Sequence, residues 1–376
     1  MPSVQRRGGG KNGGKAKNLK SQNSKNSTSS KGHWKLFVFG LLAALASIVY
    51  YRQTSILTSL KVRKAGNGVD IQDGPIFNVV DIPGKGKGVL AARDIKQGEL
   101  VLREKSLFTV PLHVQSSPAV LIAERLQNLS PVKKEAFFNL SYVHFPEDLD
   151  PTEHVDRLAL AIFETNAVSA GKDTVGIFPN MARLNHGCSS AFNVVYSWRN
   201  EQEGLFVHAL KDVKKGQELL TTYTDTKRPR QERRAYLTQQ YGFHCTCDVC
   251  SLPDGLSKAS DRRLSEISSL YRKFATWGSK DIDGIEAINY IRKIWGIEDE
   301  EGYWSERGQL AADAAWVAAS HSDVSATRAW ALKAAKWFTY EIGADTPQVQ
   351  TLIMAGDRPQ SHNAWGTRDK LEVSGP

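Results

Sequence analysis

Four cysteines occur in the 376-residue chain: Cys188, Cys245, Cys247 and Cys250. The last three form C-x-C-x-x-C. Thiols one residue apart on an extended segment point to opposite faces, which makes them poor disulfide partners. They converge more easily on a metal, and four thiolates match a closed tetrahedral zinc site that leaves no open position for catalysis. Joining Cys188 to the cluster depends on the fold, because no spacing rule reaches so far along the chain. A disulfide-bonded extracellular protein is the competing reading, and the sequons Asn128-Leu129-Ser130 and Asn139-Leu140-Ser141 are compatible with it.

Around these cysteines lie further motifs. Cys188 closes Asn185-His186-Gly187-Cys188, GQELLTTYTD runs from 216 to 225, YGFHCTCDVC from 241 to 250, and GKGKGVLAARDIKQGELVL begins at Gly84. In this order and at these intervals they resemble the SET-domain protein lysine methyltransferases: Asn-His-x-Cys is the signature, TTYTD the segment with the catalytic tyrosine, and the last cysteines the post-SET element. The helical insert and C-terminal helices resemble the subfamily that also carries a MYND finger, although no cysteines remain here to build one. The chain departs from the family after Cys188: Ser189, Ser190 and Ala191 stand before Phe192-Asn193, where the family continues Cys-x-Pro-Asn.

The resemblance implies an α+β, SET-type β-rich fold of short strands with a helical insert, followed by an α-helical C-terminal region. It implies transfer of a methyl group from S-adenosylmethionine to a lysine side chain of a protein, histone or other. Gly86, Lys87, Gly88, Asn185, His186 and Phe243 would hold the cofactor, Tyr223 would place its hydroxyl near the moving methyl, and Tyr241 would line the lysine channel. Cys188, Cys245, Cys247 and Cys250 would bind a structural Zn2+. Methyl transfer from a sulfonium is an in-line displacement, so it requires alignment and a neutral amine. A free lysine has a pKa near about 10.4, and an apolar channel next to a positive sulfonium lowers it. The alternative is a catalytically inactive SET module acting as a membrane-tethered peptide-binding protein; cofactor binding separates the two.

The elements that must position these residues are legible in outline. PIFNVV, GVLAARDI, ELVLREKSLFTV, AFNVVYSWRN, EGLFVHALKDV and GQELLTTYTD read as strands broken by Gly-containing turns. LIAERLQNL, KKEAFFNL and DRLALAIFETN read as helices inserted among them. After Pro253 the pattern is helical, with four helices predicted and the last ending at Gly343. The expected organisation is a basic disordered tail over 1–35, an apolar segment over 36–51, a linker over 52–74, the SET and post-SET region over 75–252, and a helical region over 253–376.

No acidic residue precedes Asp70, whereas thirteen lysines and arginines do; the remainder keeps 36 of the 49 basic residues against 40 acidic ones. That body, at about −4, argues against direct nucleic-acid binding by the folded part and would not repel a lysine-rich polypeptide. Leu36 to Tyr51 carries no charge, and Trp34, Tyr50 and Tyr51 stand at its ends, which predicts a single-pass membrane anchor. A buried helix or a cleaved signal are its rivals. The positive-inside rule puts the N-terminus in the cytosol, while the chemistry favours a cytoplasmic or nuclear face for the body. Oligomeric state is not legible.

Overall fold

The computed structural model describes residues 75–113 and 117–376. Among the described residues ten short strands form four small sheets. β1 (Phe77–Ile82) and β2 (Gly86–Ala91) make an antiparallel hairpin in which Ile82 faces Gly86 and Val80 faces Gly88. Its turn needs positive φ at Gly84 (75°) and Gly86 (72°), a region that glycine enters at little cost. β3 (Leu100–Glu104), β9 (Gly204–Ala209) and β8 (Val194–Arg199) form a second antiparallel sheet with β9 in the centre and every residue of β9 buried. β4 (Thr109–Pro111), β6 (Thr174–Gly176) and β5 (Val168–Ser169) form a third. The fourth pairs β7 (Asn185–His186) in parallel with β10 (Leu220–Thr221), and it is this pair that sets the signature beside the tyrosine segment.

Three helices enter between β4 and β5: α1 (Pro118–Gln127), α2 (Pro131–Phe138) and α3 (Val155–Asn166). α1 and α2 each begin with proline after a serine; the missing amide hydrogen is one that the first turn leaves unpaired anyway. Phe108, next to β4, anchors the insert: its ring stacks on Phe163 at 6.0 Å and tilts against Phe137 at 5.7 Å. These helices fall where apolar periodicity places them.

α4 (Arg230–Tyr241) was not legible. Only Arg233 and Leu237 are buried along it, so no apolar stripe marks it, and Gly242 in left-handed conformation ends it. Beyond Pro253 stand α5 (Asp254–Ala275), α6 (Gly284–Glu301), α7 (Arg307–Ser320), α8 (Val324–Ile342) and α9 (Pro347–Asp357). α8 stops before Gly343 as its sequence indicates, but a fifth helix follows, entered through Thr346-Pro347. α7 is the centre of this region. Its alanines at 311, 312, 314, 315, 318 and 319 are all buried, as expected for a helix enclosed by neighbours on most of its faces. A salt bridge from Arg199 on β8 to Asp345 (2.8 Å) ties the helices to the sheet.

One expectation is corrected. Among the described residues no helix is long and apolar enough to cross a membrane. The most uniformly buried, α7, has 14 residues and carries Arg307 and Asp313, a length of about 21 Å against a hydrocarbon core of about 30 Å. The 36–51 segment, with the tail and linker around it, lies outside the described residues. Among the described residues nothing supports single-pass membrane localisation or membrane partnership, against the expectation from the sequence.

Candidate active site

The β7–β10 pair brings the two central motifs together. Asn185 lies opposite Leu220 and His186 opposite Thr221, and the Gly187 amide donates to the Thr221 carbonyl at 2.8 Å. Two residues beyond, the Tyr223 amide donates to Nδ1 of His186 at 3.0 Å. The other ring nitrogen, Nε2, lies 3.1 Å from the Cys188 sulfur. Burial lowers the His186 pKa to about 4 against the opposing pull of Cys247, with Arg233 adding to the fall. The ring is therefore neutral at pH 7, with Nδ1 accepting and the Nε2 hydrogen pointing at sulfur. One imidazole joins the cysteine cluster to the tyrosine segment.

Tyr223 donates its hydroxyl to the Leu184 carbonyl at 2.6 Å. Its ring lies 4.9 Å from Tyr241, 5.5 Å from His186 and 6.4 Å, edge-on, from Phe243; Phe243 also flanks His186 at 6.3 Å. Burial pushes the Tyr223 and Tyr241 hydroxyls well above the ordinary tyrosine range, so both keep their protons. Tyr236 extends the cluster, with its ring 6.4 Å from Tyr241.

The glycine segment meets the same centre. Asn185 Nδ2 donates to the Lys87 carbonyl at 3.2 Å and to Glu218 at 2.9 Å. A Cβ on Gly88 would stand 2.8 Å from that nitrogen, whereas Gly86 faces open space. The Lys87 side chain turns away to Asp81 on the hairpin (2.8 Å), so only its backbone belongs to the cluster.

The four cysteine sulfurs lie within 4.8 Å of one another. Cys188 Sγ is 3.6 Å from Cys250 Sγ, and the Cys188 amide donates to Cys247 Sγ at 3.5 Å. All four thiols are free, so the disulfide reading fails. A tetrahedron with metal–sulfur bonds of about 2.3 Å has edges of about 3.8 Å, which this set fits. α4 wraps the cluster: Arg234 donates to the carbonyls of Cys245 (3.0 Å) and Cys250 (2.9 Å), and Arg230 to that of Leu252 (2.9 Å). Arg233 is fully buried beside the thiols; burial opposes its charge, yet Cys188 and Cys250 raise its pKa.

Several participants escaped the sequence reading. Glu218 stands inside the GQELLTTYTD motif, and its carboxylate pairs with Lys85 at 2.6 Å as well as with Asn185. Asn193 closes the segment that departs from the family pattern. Its side chain donates to the Glu218 carbonyl and accepts from the Leu220 amide, both at 2.9 Å, which locks β10 in place.

Residues 86–224 match the family profile of the SET domain. The histone-lysine N-methyltransferase set5 of Schizosaccharomyces pombe is 30% identical over 289 residues, covering 76% of this chain and 85% of that protein. The chain belongs to the SET-domain protein lysine methyltransferases. The N-lysine methyltransferase SMYD2-B of Danio rerio is 39% identical over 93 residues, 24% of this SET chain but 20% of that protein. Among solved structures, the SET domain of LSMT bound to lysine and AdoHcy aligns over 76% of this chain and 81% of that one, with 13% identity and a TM-score of 0.30. The Neurospora protein DIM-5 aligns over 39% and 52%, with 19% identity and a TM-score of 0.21.

Proposed function

We propose that the aromatic cleft around Tyr223 is where this enzyme carries out its activity, the methylation of a protein lysine by S-adenosylmethionine. The observation that carries this reading is the chain of contacts Cys188–His186–Tyr223–Leu184, which fixes one tyrosine hydroxyl at the junction of the glycine segment and the ring cluster. Asn185, His186, Phe243 and the Gly86–Gly88 backbone form the cofactor side. The missing side chain at Gly88 lets Asn185 and Ile82 close on the main chain, and only at Gly86 is the space beside the backbone open. Tyr241 and Tyr223 form the lysine side. S-adenosylmethionine, when bound, supplies the electrophilic methyl. The rings exclude water from the amine and disfavour its charged form. The Tyr223 hydroxyl, its proton committed to Leu184, keeps lone pairs that accept from the amine and orient it. The cysteine set holds a structural Zn2+ and brings Tyr241 and Phe243 to the cleft. The catalytic module is assigned to 75–252 and the helical region to 253–376.

A histone is the preferred substrate, on the strength of the set5 relative and of a body whose negative balance suits lysine-rich chains; this reading places the enzyme with chromatin. Nothing favours the inactive, membrane-tethered alternative. Incubating the full chain with labelled S-adenosylmethionine and core histones is expected to yield methyl-lysine detectable by mass spectrometry. No label on histones or on any protein of a cell extract would end the reading.

The two glycines give a sharper test of the cofactor side. Gly88→Ala drives a methyl group into Asn185 and Ile82 and is expected to raise the KM for S-adenosylmethionine about tenfold, the scale of one disturbed hydrogen bond. Gly86→Ala meets no protein atom within 4 Å but strains a positive φ, so about 1–2 kcal/mol of stability should be lost, with a smaller rise in KM than Gly88→Ala gives. Equal cofactor affinity in both variants would remove Asn185 from the site.

A further inference from the structure

The segment that follows the signature cysteine lacks the family's proline, and a distant carboxylate holds it instead. Ser189 is 1% exposed with a φ of 20°. Its Oγ donates to Glu301 Oε1 at 3.0 Å, from the SET region to the last residue of α6. The Glu301 carboxylate also accepts from Ser260 Oγ at 2.5 Å and pairs with Arg263 at 2.8 Å, so it is itself fixed from α5. One residue beyond Ser189, the Ser190 carbonyl accepts from Lys211 Nζ at 2.7 Å, and the same ammonium donates to Gly302 at 3.0 Å. Phe192 meets Tyr303 edge-on at 5.9 Å. Past the tyrosine segment, Lys227 pairs with Glu306 at 2.9 Å. The α6–α7 connection therefore grips the chain just downstream of Cys188 and again just downstream of Tyr223.

We propose that Glu301 is a positioning residue for methyl transfer: by holding Ser189 it fixes the Asn185–Cys188 segment from its C-terminal side, which makes the helical region a working part of the cofactor site. This rests on the reading that Asn185 and His186 hold the cofactor. β7–β10 pairing secures the segment upstream and the cysteine set secures Cys188 itself. Downstream, the Ser189–Glu301 bond acts beside the Lys211–Ser190 contact and the Ala191 amide on the Cys188 carbonyl, and as a buried bond to a charged group it is stronger than one between neutral partners.

The test uses the full chain with Ser189→Ala, Glu301→Ala, their combination, and Glu301→Gln. Both alanine variants should raise the KM for S-adenosylmethionine about tenfold, as loss of a bond to a charged group does, with kcat at saturating cofactor within about twofold and metal content unchanged. The combination should be no worse than Glu301→Ala alone, because both changes remove the same interaction. Glu301→Gln retains an acceptor oxygen and should recover most of the affinity. A merely structural glutamate would lower the melting temperature and leave this KM where it was; that result, or multiplied effects in the combination, would overturn the proposal. If Glu301→Ala fails to fold, Ser189→Ala decides alone. Absence of cofactor binding by the unmodified chain would instead overturn the site reading beneath it.

Discussion

Tyr223→Phe is expected to cut turnover by about 10²- to 10³-fold, the cost of removing one preorganised hydrogen-bonding group from a transition state. The ring contacts with Tyr241, His186 and Phe243 survive the change. The hydroxyl's bond to the Leu184 carbonyl does not. An unpaired buried carbonyl costs about 1–3 kcal/mol, so the melting temperature should fall by several degrees while the protein stays folded at assay temperature. Cofactor affinity should change little, and kcat should fall together with kcat/KM, the pattern of an interaction made in the transition state. Full activity in this variant would make Tyr223 a structural residue and pass the role to Tyr241.

Stripping the metal should be as severe. The cysteine-rich element has little core of its own: Leu237, Val249 and the sulfurs are its buried heart, with Tyr223, Tyr241 and Phe243 packed around them. In small zinc domains metal binding supplies about 10–16 kcal/mol of folding energy, more than such an element could otherwise muster. Chelation, or Cys245→Ser, is therefore expected to release residues 241–250, abolish cofactor binding and reduce activity below detection. Elemental analysis of the untreated chain should return one zinc per molecule. Active protein with no metal would refute this account of the cysteines.

What could be read from the chain depended on the reach of each contact. The cysteine spacing is local, and so are the Asn-His-x-Cys and TTYTD motifs, which is why the central residues were nameable before any fold was known. The helical insert and most C-terminal helices follow from apolar periodicity. α4 was invisible because it buries an arginine and a leucine rather than a stripe; its other faces are charged. The Glu218–Asn185 bond, the Asn193 lock on β10 and the Ser189–Glu301 bond join residues 33, 25 and 112 positions apart. No periodicity encodes such pairs. The hydrophobic segment misled the localisation reading for the opposite reason: a run without charges is a signal of composition alone.

Arg233 has no exposed surface; its Nη1 pairs with Asp261 at 3.2 Å and donates to the Arg228 carbonyl, while Nε and Nη2 find no hydrogen-bond partner. A guanidinium so placed is tolerable because the Asp261 carboxylate pairs with it and the cysteine sulfurs lie beside it. Losing a cysteine would weaken this balance while Asp261 keeps its share of it, and losing the arginine would empty a fully buried site beside the imidazole that touches Tyr223. The arginine thus ties α4 to the metal centre from inside, so the helix and the cysteine element should melt as one unit rather than in two steps.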